Sequence, residues 1–130
     1  MILFDTDVCV EILRGNQKIL ARRKQTIEDV AISFMSVSEL FYGAAKSRNS
    51  AKNRNLVENF VLTLCVLDSN MHIVKKFGEI KASLTKSRNI LPDADIFIAA
   101  TSMVYCSKLI TGNTNHFERI PKLIIENWIR

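Results

Sequence analysis

Four short apolar runs, set between segments of helical period, constrain this chain more than any other feature. Ile2 to Asp5, Val30 to Phe34, Cys65 to Leu67 and Lys108 to Thr111 read as strands, and Leu123 to Ile125 supplies a candidate fifth. Strands this short and this uniformly apolar suit a sheet covered on both faces. Between them the apolar residues fall at helical spacing: Val8, Ile12 and Leu13 before a stop at Gly15, then Ile19, Leu20 and Arg23 up to about Thr26. Leu56, Val57, Phe60, Val61 and Leu64 make a further helix, and Ile73, Phe77, Ile80 and Leu84 the cleanest amphipathic one, with Lys75, Lys76, Glu79 and Lys81 on its other face. Pro92 breaks the chain, and Asp93 opens a mostly apolar helix to about Tyr105. Strands alternating with helices predict an α/β architecture: a central, mostly parallel sheet of four to five short strands flanked by helices on both faces. At 130 residues, with no repeat or linker, a single domain over residues 1–130 is expected.

Five acids stand where apolar segments begin or end. Asp5 closes the first strand, Asp7 follows it, Glu39 lies just past the second, and Asp93 and Asp95 open the late apolar helix. Carboxylates gathered beside buried segments suit a hard cation with oxygen ligands, which points to Mg²⁺-dependent phosphodiester chemistry. In a parallel sheet ligands collect beyond the carboxyl ends of the strands, where Asp5 and Thr111 fall.

Each acid also has a plainer reading. Asp5 suits the N-cap of the next helix, and the dipole favours Asp7 in a first turn. Glu39 follows Ser36 at capping-box spacing. Asp93 reads as a cap after Pro92, which leaves Asp95 without a capping duty, though the dipole still favours it, and Asp68 reads as a cap before Ser69. A glycine inside a helix costs about 1 kcal/mol relative to alanine, so Gly43 predicts a close approach at that turn. The segment from Thr111 to His116 is either a turn or a loop whose hydroxyl, amide or imidazole orients water or phosphate.

Charge and cysteine content narrow the class. The formal charge is +5, from 18 basic and 13 acidic side chains; if the five acids share a pocket, the rest of the surface carries 18 against 8, or +10. A basic rind around an acidic pit attracts a polyanion, and Lys46, Arg48, Lys52 and Arg54 are candidates to track its backbone, or ordinary surface charges. Cys9, Cys65 and Cys106 are odd in number, lack CxxC spacing and lie in apolar stretches, as expected of small buried hydrophobes. No apolar run approaches membrane length, so a cytoplasmic protein is expected.

In order, Phe4-Asp5-Thr6-Asp7, Ser38-Glu39-Leu40-Phe41-Tyr42-Gly43, Asp95 to Thr101 and Leu109-Ile110-Thr111-Gly112-Asn113 resemble the PIN-domain ribonucleases, specifically the VapC-type toxins of toxin–antitoxin pairs. The tail from His116-Phe117 to Trp128 extends the resemblance over essentially the whole chain. It implies a PIN-like three-layer fold and a Mg²⁺-dependent ribonuclease, with Mn²⁺ as a substitute. By the same resemblance Asp5 and Asp95 are the principal metal ligands and Glu39 the third catalytic acid, with Thr6, Asp7, Asp93, Thr111, Asn113 and His116 in support. The family often has a fourth acid where this chain has His116, which leaves Asn113 or Asp93 as substitutes. Implied partners are a VapB-type antitoxin, a transfer or ribosomal RNA substrate, and a second toxin copy within a complex that binds promoter DNA through the antitoxin.

Two other functions compete. A non-catalytic PIN-like domain that binds RNA or protein would have no need of Asp5, Glu39 and Asp95 together. A receiver-like signalling domain could use Asp68 as phosphoacceptor, but Thr111 stands where a lysine is needed.

Overall fold

The computed structural model describes residues 1–130 and contains a five-stranded, wholly parallel sheet. The strands are β1 (Ile2–Phe4), β2 (Val30–Ser33), β3 (Cys65–Leu67), β4 (Leu109–Ile110) and β5 (Ile125–Glu126), in the order β3-β2-β1-β4-β5. The helices are α1 (Thr6–Leu13), α2 (Gln17–Gln25), α3 (Phe34–Ala45), α4 (Ser50–Leu62), α5 (Met71–Lys86), α6 (Asp93–Tyr105) and the short α7 (Thr114–Phe117). No helix is long and apolar enough to cross a membrane.

The pleat of the central strand explains the three layers. Ile2 and Phe4 point to one face and pack with Val8, Ile19, Ile32 and Val57 under α1, α2 and α4. Leu3 points to the other and packs with Ala31, Ile73, Ile80, Ile96 and Leu109 under α5 and α6. All three β1 residues are fully buried, which is why the strand shows no polar alternation. The chain leaves β1 towards β2 and β3 on one side, then returns to build β4 and β5 on the other. That reversal opens a crevice beyond the carboxyl ends of β1 and β4. Trp128, just past β5, packs edge-on against Phe4 with ring centroids 5.3 Å apart, closing the core at the chain's end.

Several local expectations are corrected. The second strand stops at Ser33, whose Oγ accepts from the Met35 amide at 3.0 Å and caps α3. Strand thus passes into helix with no loop, and the apolar Phe34 and Met35 belong to the first turn. Ser36 and Glu39 therefore lie inside α3 and form no capping box. Asn70, not Asp68, caps α5 through the Ile73 amide at 3.1 Å. Asp93 is the first residue of α6 rather than its cap, the position before it being Pro92. An alanine Cβ at Gly43 would meet nothing within 4 Å, so no backbone approaches there. Cys9 is buried as expected, with a thiol pKa pushed up by burial, whereas Cys65 on edge strand β3 is exposed. The turn after β4 contains the extra short helix α7, and β5 starts later than Leu123, at Ile125.

Candidate active site

Asp5 follows β1 directly, and its two carboxylate oxygens have separate partners. Oδ1 accepts from the Thr6 amide at 2.8 Å, which makes Asp5 the N-cap of α1. Oδ2 accepts from the Thr111 hydroxyl at 2.7 Å, a contact between the ends of adjacent strands. The capping and site readings of Asp5 are thus compatible, because capping uses only one oxygen.

The other acids reach this point from three directions. Asp7, on the first turn of α1, accepts from the Gly112 amide through Oδ2 at 2.9 Å, while its buried Oδ1 has no partner. Glu39 enters from α3, its Oε1 accepting from the Thr6 hydroxyl at 2.7 Å, and Ser36 Oγ lies 3.0 Å from the same hydroxyl. Asp95 enters from the first turn of α6, with Oδ2 2.9 Å from His116 Nδ1. The Asn113 side chain is 3.0 Å from that ring nitrogen, and its backbone amide donates to Thr111 Oγ1 at 2.9 Å. Asp93 stands apart: it is exposed and paired with Lys81 at 2.9 Å.

The electrostatics are those of crowded negative charge. Burial, then the charge of Asp7, pushes the Asp5 carboxyl up to about 7, against the hydrogen bonds from Thr111 and Thr6; Asp95 adds repulsion. Burial also raises Asp7, against its hydrogen bond from Gly112. Such a site is relieved either by protons or by a cation.

Residues 2–123 match the family described as PIN domain. The chain belongs to the PIN-domain family. It is 33% identical over 128 residues to a ribonuclease VapC2 of Haemophilus influenzae, covering 98% of this chain and 97% of that one. It is 31% identical to a tRNA(fMet)-specific endonuclease VapC of Salmonella typhimurium, covering 97% and 96%. Among solved structures, the Rickettsia felis VapBC2 complex bound to a promoter DNA fragment superposes with a TM-score of 0.92 at 28% identity, over 98% of this chain and 99% of that one. This PIN domain therefore stands with the VapC ribonuclease toxins of VapBC pairs.

The donors of this PIN domain fit a hard divalent cation in type and charge: carboxylate oxygens, one of them buried without a partner, in a field that raises Asp5. No three Asp, Glu, His or Cys side chains are grouped closely enough to hold an ion as they stand; hydrogen bonds to Thr6, Thr111, Gly112 and His116 engage the acids one by one.

Two contributors were not legible as such. Ser36 precedes Glu39 by three residues, which puts both on one helix face, but a cap accounted for that spacing equally well. Gly112 sits where an added Cβ would meet Ile129 Cδ1 at 2.6 Å and Asp7 Oδ2 at 3.0 Å, a close approach that a turn-rich segment does not announce.

Proposed function

We propose that this single domain, residues 1–130, is a metal-dependent endoribonuclease toxin of a VapBC-type pair, cutting RNA phosphodiester bonds with Mg²⁺, or Mn²⁺ in its place. The observation that carries the reading is the gathering of Asp5, Asp7 and Asp95 at the carboxyl end of a parallel sheet, with the buried Asp7 Oδ1 left without a partner. Acids so placed are costly for stability unless they hold a cation. Asp5 and Asp95 would hold the ion, with Glu39 the third acid acting directly or through water. When bound, the ion supplies a polarised phosphoryl oxygen and a water of lowered pKa.

The remaining groups have definable tasks. Thr6 orients Glu39 by donating its hydroxyl proton, and Thr111 does the same for Asp5. Asp7 ties the β4–α7 turn to α1 through Gly112. Holding a cation needs Asp5 ionised, so activity rises with pH until Asp5 has lost its proton.

Beside the acids runs an open groove of about 510 Å³, from Thr6 and Glu39 past Gly43 and Ala44 to Leu56 and Val57, with Arg14 and Lys46 on its walls. Its apolar walls support an antitoxin segment lying next to the site. The VapBC complexes of Rickettsia felis and Salmonella typhimurium were both solved on DNA, which supports a promoter-binding assembly here too. The relatives' names favour RNA as substrate and leave transfer RNA in view.

The test is cleavage of a structured cellular RNA pool by purified protein in Mg²⁺, Mn²⁺ or EDTA, beside Asp5→Asn and Asp95→Asn. Metal-dependent cutting lost in both variants is expected. Inactivity of folded, antitoxin-free protein would favour a binding role, and cutting that survives EDTA would place the chemistry elsewhere.

A further inference from the structure

We propose that His116 is a positioning residue for Asp95, fixing one carboxylate oxygen through Nδ1–H and acting on a metal ion only through that carboxylate. The inference rests on the metal-dependent reading above and deepens it.

His116 Nδ1 lies 2.9 Å from Asp95 Oδ2. An ionised carboxylate can only accept, so Nδ1 is the protonated ring nitrogen. The Asn113 side-chain nitrogen lies 3.0 Å from the same ring nitrogen; with Nδ1 donating to Asp95, the amide turns over to face the ring with its oxygen, an orientation of the same shape. No other side chain bonds Asp95. Without the imidazole, its carboxylate is free to turn about its own side-chain bonds.

The ring itself is held. His116 lies on α7, and the turn entering that helix is fastened by the Asn113 amide to Thr111 Oγ1 at 2.9 Å. Thr111 in turn bonds Asp5 at 2.7 Å. One six-residue turn, 111–116, therefore grips Asp5 at one end and Asp95 at the other. That sets the two carboxylates relative to each other before any cation arrives, although they lie 90 residues apart in sequence. Hydrogen bonds that orient ligating carboxylates commonly contribute about 10- to 100-fold in metal affinity.

The alternative, direct ligation through Nε2, is separable by shape. Asparagine can place an amide nitrogen near the position of Nδ1, and glutamine one near Nε2. Mn²⁺ binding is read by loss of the free-ion electron paramagnetic resonance signal, with no RNA present, for wild type, His116→Asn, His116→Gln, His116→Ala and Asp95→Asn. Circular dichroism confirms that each is folded, as expected for a ring whose side chain is 38% exposed. Positioning predicts that Ala and Gln weaken binding about 10- to 100-fold while Asn stays within about threefold of wild type. Retention by Gln with loss in Asn would assign Nε2 as a ligand and overturn the proposal. Equal binding by all three, with Asp95→Asn still impaired, would leave the metal site standing and remove His116 from it. Wild-type protein that binds no Mn²⁺, or binds it as well after Asp95→Asn, would take the nuclease reading down as well.

Discussion

Replacing Asp5 by asparagine should stabilise the metal-free protein at neutral pH while abolishing its activity. The Asp5 carboxyl moves from 3.8 to about 7 on folding, mainly through burial and then the charge of Asp7. Between those two values the native state binds a proton that the unfolded chain has released. Stability therefore falls as pH rises from about 4 to about 7, and levels off above. A shift of about 3 units at 1.36 kcal/mol each gives a loss of about 4 kcal/mol by pH 8. Asp7, raised in the same direction, adds to it. Asparagine keeps the shape, its oxygen can accept from the Thr6 amide, and its nitrogen can donate to Thr111 Oγ1. That reverses the second bond and leaves the buried Thr111 proton without its acceptor, at about 1–3 kcal/mol, less than the cost of the charge it removes. Urea unfolding in EDTA at pH 5 and pH 8 measures both slopes. Wild type should lose about 3 kcal/mol across that range, the part of the shift that lies above pH 5, and Asp5→Asn much less. Mg²⁺ at about 100 times its dissociation constant should return about 3 kcal/mol to wild type at pH 8 and little to the variant. Parallel slopes for the two proteins would refute the argument, because the titrating group would then not be Asp5.

Other substitutions probe separate parts of the structure. Gly112→Ala drives a Cβ to 2.6 Å from Ile129 Cδ1 and 3.0 Å from Asp7 Oδ2; it should cost about 1–3 kcal/mol and weaken cleavage, and an unchanged urea midpoint would count against that crowding. Gly43→Ala meets nothing within 4 Å and should add about 1 kcal/mol of helix stability, read from the same midpoint. Asp93→Asn should leave metal affinity and cleavage unchanged, since Asp93 is exposed and spent on Lys81; a large loss in either would bring it back into the site. Glu126 accepts from Trp128 Nε1 and pairs with Arg22 and Lys108, so Glu126→Gln should cost about 1 kcal/mol, or roughly 3–5 °C in Tm, and calorimetry showing no shift would mean that solvent screens the cluster fully. Glu126 is held below the usual carboxylate range, chiefly by the indole hydrogen bond, so its contribution is present above the unfolded pKa and is lost as pH falls through the folded one.

Apolar periodicity made the architecture legible because burial on both faces leaves no alternative pattern for β1 or β2. Element boundaries were less legible wherever a polar residue could serve two purposes. Ser33 ends a strand and caps a helix at once, so the apolar Phe34 read as more strand, and the displaced start made Ser36 and Glu39 look like a capping box. Asp5 showed the opposite ambiguity, and both readings of it hold, because a carboxylate has two oxygens. Five acids read as one group from their positions beside apolar runs, yet Asp93 separates from Asp95. Two residues on a helix differ by about 200° around the axis, so the first turn of α6 sends one to Lys81 and solvent and the other to His116.

The contacts of the β4–α7 turn could not be read from composition, since Thr, Gly, Asn and His in sequence describe any polar turn. Its order supplies what composition lacks. Thr111 bonds Asp5, Gly112 bonds Asp7, Asn113 bonds back to Thr111, and His116 bonds Asp95. Each bond crosses from this turn to an acid or braces the turn that does so. The strand reversal between β1 and β4 brings the turn beside Asp5, and the single helical turn of α7 carries His116 round to α6. If that is what fixes the acids, inserting one glycine between Asn113 and Thr114 should break the Asp95 contact and spare the Thr111 one. Mn²⁺ affinity should then fall about as far as in His116→Ala, roughly 10- to 100-fold, while the pH slope attributed to Asp5 persists. An insertion that erased the pH slope as well would show that the turn acts as one rigid unit rather than as two independent grips.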